Sequence, residues 1–163
     1  MKRNLPVFLM LALAGCATAA AGGQTQWMTF PSGKGDKGVT LEAWLQEHPL
    51  KTDQGMSIEE ISRGETASAA IVQIRKVQPL HMHAEHDLTA IVLKGEGLLR
   101  VGDRNLELRP GSIVTIPRGT AHSFTNKSQE TAVAYAMFNP AFDGKDFVVV
   151  PEESLVKSQK KKK

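Results

Sequence analysis

His81 and His83 stand one residue apart in Pro79–Asp87, which reads PLHMHAEHD. In an extended strand the side chains alternate between faces, so residues two apart project together and their rings can approach one point. Imidazole nitrogen binds Fe, Mn, Zn, Ni and Cu, so such a pair is half of a transition-metal site. By itself a pair so spaced is more often a surface or hydrogen-bonded pair, and a second stretch makes the difference. Gly111–Asn126, GSIVTIPRGTAHSFTN, has the form of a strand, a Pro/Gly turn and a returning strand. His122 sits near the start of the returning strand, with Phe124 and Asn126 on its face. If that face is interior, His122 meets His81 and His83, and the three hold one divalent transition metal ion. Asp87, just beyond the pair, is the candidate fourth ligand or nearby base; Glu85 and His86 are weaker candidates, read otherwise as a solvated loop.

Such residues need a rigid frame of strands. From about Met56, short apolar runs alternate with turn signals: Ala69–Val77, Leu88–Leu93, Gly97–Val101, Leu106–Leu108, Ile113–Ile116, Ala121–Thr125 and Ala132–Phe138. Gly, Pro, Asn and Asp punctuate them, as in Lys94-Gly95-Glu96-Gly97 and Arg109-Pro110-Gly111. Many short strands so spaced predict an all-β antiparallel sandwich or barrel, and no long helical pattern interrupts them to suggest a parallel sheet. One short helix is expected in Thr40–His48, where Leu41, Trp44 and Leu45 have helical spacing, Thr40 is the N-cap and Trp44 the packing anchor. Phe124, Tyr135 and Met137 are candidates for the pocket lining, read otherwise as plain core. Tyr135, the only tyrosine, is a candidate hydrogen-bond donor to a ligand. Asn139–Asp146 is a turn-rich loop placed to cover one end of the barrel. No P-loop, dinucleotide fingerprint or G-x-S-x-G elbow is present.

The two histidine stretches resemble the paired sequence motifs of the cupin superfamily, over roughly Ala69–Phe138. Gly111–Asn126 matches the second motif at every defined position, through Gly111, Pro117, Gly119, His122 and Asn126. The first motif matches at His81, His83 and Gly95, but Arg75 stands at its leading glycine, and its acid falls on Asp87 or Leu88 according to the count. The resemblance implies a jelly-roll (double-stranded β-helix) barrel with the metal held inside by His81, His83 and His122. With Asp87 inward the site has three histidines and a carboxylate, as in many cupin metalloenzymes. With Leu88 in the slot it has three neutral ligands, as in some cupin-type thiol dioxygenases. The resemblance also implies a small-molecule ligand and a homodimer paired through barrel faces. Dioxygenase, isomerase, decarboxylase and lyase chemistry all occur among such proteins, as does capture of a small ligand without turnover, and the residues leave both readings open.

The chain ends carry other information. Lys2 and Arg3, the apolar run Leu5–Leu13 and the small residues after it have the build of a secretory signal, far short of the ~20 residues that span a bilayer. Leu13-Ala14-Gly15-Cys16 resembles a bacterial lipobox, which makes residues 1–15 a signal and Cys16, the only cysteine, a lipidation site. The expected location is extracytoplasmic and membrane-anchored; with Ala17 next, it is the periplasmic face of the outer membrane in a Gram-negative cell. Residues 16–38 read as a tether, 39–150 as the barrel domain and 151–163 as a basic tail. Lys2, Arg3 and the five lysines at Lys157 and Lys160–Lys163 account for seven of 20 basic residues, leaving 13 against 17 acidic ones. The body is therefore mildly acidic and offers no basic face to nucleic acid. The lysine run reads as a solvated tail or a contact for anionic lipid.

Overall fold

Turn-forming residues cut the chain into short strands, and the computed structural model, which describes residues 27–28 and 38–151, sets out their order. The signal, Cys16, most of the tether and the lysine run lie outside the described residues. A two-stranded pair, β1 (Trp27–Met28) and β2 (Val39–Thr40), precedes the helix α1 (Leu41–Glu47). Then follow β3 (Met56–Arg63), β4 (Ser68–Ile74), β5 (Val77–Met82), β6 (Asp87–Lys94), β7 (Gly97–Val101) and β8 (Arg104–Leu108). The series ends with β9 (Ile113–Ile116), β10 (His122–Asn126), β11 (Ala132–Asn139) and β12 (Val148–Val149). They form two five-stranded antiparallel sheets, ordered β12-β5-β10-β7-β8 and β3-β4-β11-β6-β9. From β4 to β7 each strand crosses to the other sheet, which is the jelly-roll pattern.

Both sheets turn apolar residues into one core. Val72 and Ile74 of β4, Leu88 of β6, Leu99 of β7, Ile116 of β9, Phe124 of β10 and Phe138 of β11 are buried together. Each such side chain contributes about 1.5–3 kcal/mol by leaving water. Gly97 is demanded by closeness: a Cβ there would stand 2.3 Å from the Thr125 carbonyl oxygen and 2.4 Å from Phe124 Cζ.

The helix forms where its residues predict it. The Thr40 hydroxyl accepts the Ala43 N–H at 3.1 Å, satisfying one of the donors that a helix start leaves unpaired. Leu41 and Trp44 bury against Ile71 and Val133, on the side of the sheet away from the core. Both faces of β4 are thereby covered, and all seven of its residues are buried. Its continuous SAAIVQI run, with no polar alternation, has this cause.

Three strand boundaries differ from expectation. The run Ala69–Val77 is two strands in different sheets, parted at Arg75-Lys76. Arg75, in place of the motif glycine, donates to the carbonyls of Leu50, Lys51 and Gln54 and ties down the loop after α1. β3 (MSIEEISR) is an edge strand, so its polar residues find solvent and leave no apolar run to recognise. β12 has only two residues, below the length at which a pattern exists.

Candidate metal centre

β5 carries His81 and delivers His83 one residue beyond its end. β10 begins at His122, which lies directly opposite His81 in register. A register shift between His122 and Phe124 marks a bulge beside the site, the kind of irregularity that re-aims a side chain. The three histidines, expected from their spacing to converge, do so: their ligand nitrogens all lie within 4.8 Å of one another, and all three residues are buried. Ring centroids are 4.1 Å apart for His81–His122, 5.1 Å for His81–His83 and 5.5 Å for His83–His122.

The hydrogen bonds set the tautomers. His81 Nδ1 lies 2.8 Å from the Pro79 carbonyl, His122 Nδ1 3.0 Å from that of Thr120, and His83 Nδ1 2.6 Å from that of Asp146. A carbonyl only accepts, so each Nδ1 carries the proton and each Nε2 presents a lone pair. The Nε2 atoms of His81 and His122 are buried with no hydrogen-bond partner among the described residues. A buried polar atom left so costs about 1–3 kcal/mol, and a metal ion removes that cost. The residues present therefore fit the ion that the histidine spacing implies. Burial, and then the neighbouring His122 ring, lowers the His81 pKa to about 3. Burial likewise lowers His122 to about 4, against the pull of the Thr120 carbonyl, and lowers His83 as well. All three rings are neutral near pH 7, the form that binds metal.

Asp87 is a correction. Its carboxylate accepts the Arg118 main-chain N–H at 2.9 Å and faces the Arg118 guanidinium at 2.8 Å, outside the histidine cluster. The paired side chains of Arg118 and Asp87 are 51% and 42% exposed. The Arg118 side-chain and main-chain donors hold its pKa down to about 2. The alternation of β6 explains the placement: Leu88, Ala90 and Val92 face the barrel and Asp87 cannot. Of the two residues that the motif count allows in the acid slot, Leu88 faces inward.

β11 supplies two further corrections. Tyr135 packs with Leu41, Trp44 and Ile71 on the outer side of its sheet, and Met137 is 41% exposed. Ala136 and Phe138 alternate with them and face the core. Phe124 alone of the three pocket candidates lines the cavity. Glu85 is exposed. Asn126 shares no part of the site; its amide donates to the carbonyls of Ile74, Arg75 and Glu130 and holds the far end of β10.

His83 and His122 open onto a cavity of about 70 Å³ inside the barrel, lined further by Leu88, Leu99, Ile116 and Phe124. That is about half of the ~150 Å³ that accommodates benzene in an engineered protein core. The loop after β11 covers the same end, as its position suggests. Phe147 stacks on His81 at 4.0 Å, and Phe142 stands edge-on to His83 at 5.5 Å. β12 then pairs with β5, with Val149 opposite His81.

Residue spacing does not reveal Asp146 as a partner of this site and offers His86 only as a weaker ligand candidate. The Asp146 carboxylate accepts from Ala84 N–H at 2.8 Å, Glu85 N–H at 2.9 Å and His86 Nδ1 at 2.6 Å. Burial opposes its charge, but the His86, Glu85 and Ala84 donors outweigh burial and hold its pKa at about 2. His86 is buried against this carboxylate rather than solvated.

A Cupin domain family model matches residues 70–138. A protein of Aquifex aeolicus (strain VF5) is 42% identical over 95 residues, which are 57% of this chain and 78% of that one. The fold matches KdgF from Halomonas sp. with a TM-score of 0.54 at 21% identity, over 60% of this chain and 93% of that one. It also matches a Klebsiella pneumoniae protein with a double-stranded β-helix domain, TM-score 0.56 at 16% identity, over 66% and 95% of the two chains.

Proposed function

We propose that this chain, matched by the Cupin domain model over residues 70–138, is a cupin that binds one divalent transition metal through the Nε2 atoms of His81, His83 and His122 and acts there on a small molecule. The observation that carries the reading is the pair of buried Nε2 atoms, without a partner among the described residues, beside a third histidine whose Nδ1 is likewise occupied. When bound, the metal supplies Lewis-acid polarisation of a ligand oxygen or activation of dioxygen or water. The chain's own residues do the rest. The carbonyls of Pro79, Thr120 and Asp146 hold the three rings in one tautomer, and Phe147 and Phe142 shield the site from water. The small, largely apolar cavity favours a ligand with a compact apolar body and one polar end for the metal. Fe, Mn, Zn, Ni and Cu all suit three imidazoles.

One observation favours the second reading, capture without turnover. Apart from His83 and His122, no acid, base or phenol among the described residues lines the cavity, so general acid–base chemistry there has no other proton carrier among them. The location we propose is the cell envelope, with the chain lipidated at Cys16, on the strength of Lys2, Arg3, the Leu5–Leu13 run and Leu13-Ala14-Gly15-Cys16. A homodimer belongs to the same proposal and is checked by light scattering.

The test is metal analysis of protein purified without a histidine tag, followed by a thermal-shift screen of small metabolites on the metal-loaded protein. One equivalent of metal, with metal-dependent turnover of a stabilising compound, supports an enzyme. Stabilisation without turnover supports the binding module. Absence of stoichiometric metal, even after reconstitution, refutes the site.

A further inference from the structure

The geometry points to Asp146 as a positioning residue for the metal, which orients His83 and supplies the buried negative charge that the ligand set lacks. The inference rests on the metal reading above. Three neutral imidazoles leave the charge of a bound dication uncompensated. Of the carboxylates close in sequence, Glu85 is exposed and Asp87 is turned to Arg118 at the surface. Among the described residues Asp146 is the only buried carboxylate.

It reaches His83 by two routes. Its main-chain oxygen takes the His83 Nδ1–H directly, at 2.6 Å. Its side chain grips the three residues that follow His83, through the N–H groups of Ala84 and Glu85 and the His86 ring. His81 and His122 need nothing comparable, since each ring is fixed by the carbonyl two residues before it. His83 lies past the end of β5; its carbonyl accepts the Gly119 N–H, but the orientation of its ring depends on the contact that Asp146 makes across the fold. The same segment lays Phe147 on His81, so one stretch of chain braces two of the three ligands. Groups that hydrogen-bond a metal-ligating histidine fix its orientation and raise its basicity, and losing one typically weakens metal binding about 10–100-fold.

The experiment titrates Co²⁺ and Zn²⁺ against a competing chelator into wild-type, Asp146→Asn and His122→Ala protein, with the visible spectrum of the Co²⁺ form recorded at saturation. Asp146→Asn keeps the shape of the side chain and removes its charge. We expect tight binding by wild type, its loss in His122→Ala, and about tenfold weaker binding with a shifted cobalt spectrum in Asp146→Asn, the lower end of that range because the main-chain acceptor of His83 stays in place. Wild-type affinity and spectrum in Asp146→Asn overturn the positioning role and leave the metal site standing, even if the variant melts earlier. Failure of the wild type to bind overturns the metal reading itself and, with it, the inference. If Asp146→Asn does not fold, ¹⁵N NMR of the His83 ring in the wild type decides: the Nδ1–H tautomer is expected, and the Nε2–H tautomer overturns the role.

Discussion

Asp87 and Arg118 form a closed surface pair, in which one carboxylate accepts from both the main chain and the side chain of the arginine. The pair pins the Pro117-Arg118-Gly119 turn to the start of β6, and the Gly119 N–H donates to the His83 carbonyl at 2.6 Å just beside it. Asp87→Ala is therefore expected to leave metal affinity within about threefold of wild type, since the group is not a ligand and an exposed pair is worth little. Chelator competition measures it. A drop of the size seen on losing a ligand would return Asp87 to the metal.

His81→Ala and His122→Ala each remove one of three nitrogens. Metal content measured by mass spectrometry should fall from about one equivalent to a small fraction of it, since two imidazoles without a carboxylate form a weak site. Wild-type metal content in both variants would refute the centre.

The pH dependence has a defined sign. His81 and His122 titrate at about 3 and about 4 in the fold, and at ~6.5 in the unfolded chain. Between those values the unfolded chain binds more protons, so stability of the metal-free protein falls as pH drops from about 6.5 toward 4 and levels off near 3. Proton competition at these two ligands is weak until about pH 4, so their part in metal binding should persist to about pH 5, where ordinary imidazoles are already charged. Urea denaturation across this range and metal titration at pH 5 and 7 check the two halves. Constant stability from pH 6.5 to 4 would contradict the burial of neutral rings.

Gly97→Ala forces a methyl group against the Thr125 carbonyl and the Phe124 ring, at 2.3 and 2.4 Å on the present backbone. Relief requires movement of β10, the strand that starts at His122. We expect a loss of about 1–3 kcal/mol, typical of overpacking, measured by urea unfolding. Weaker metal binding should accompany it. A variant as stable as wild type would show that the barrel is looser here than the packing indicates.

Much of this protein is legible in residue order because the governing rules are local. Period-two spacing puts His81 and His83 on one face. Thr40 ahead of Leu41, Trp44 and Leu45 sets a helix. Gly and Pro punctuation marks most of the strands. The same locality limits the pocket. Nothing in PLHMHAEHD says whether Asp87 or Leu88 turns inward, because a strand shifted by one residue presents its other face. Tyr135 and Met137 lie outside for the same reason.

Residue types and spacing by themselves determined a strand-built barrel, its short capped helix and the three histidines able to share one ion. Tertiary structure alone decided that Leu88 rather than Asp87 faces the cavity, and that Asp146 braces His83. The first depends on sheet register, and the second on a contact across 63 residues of chain. Local propensity encodes neither, since both are settled only when the two sheets close on their common core.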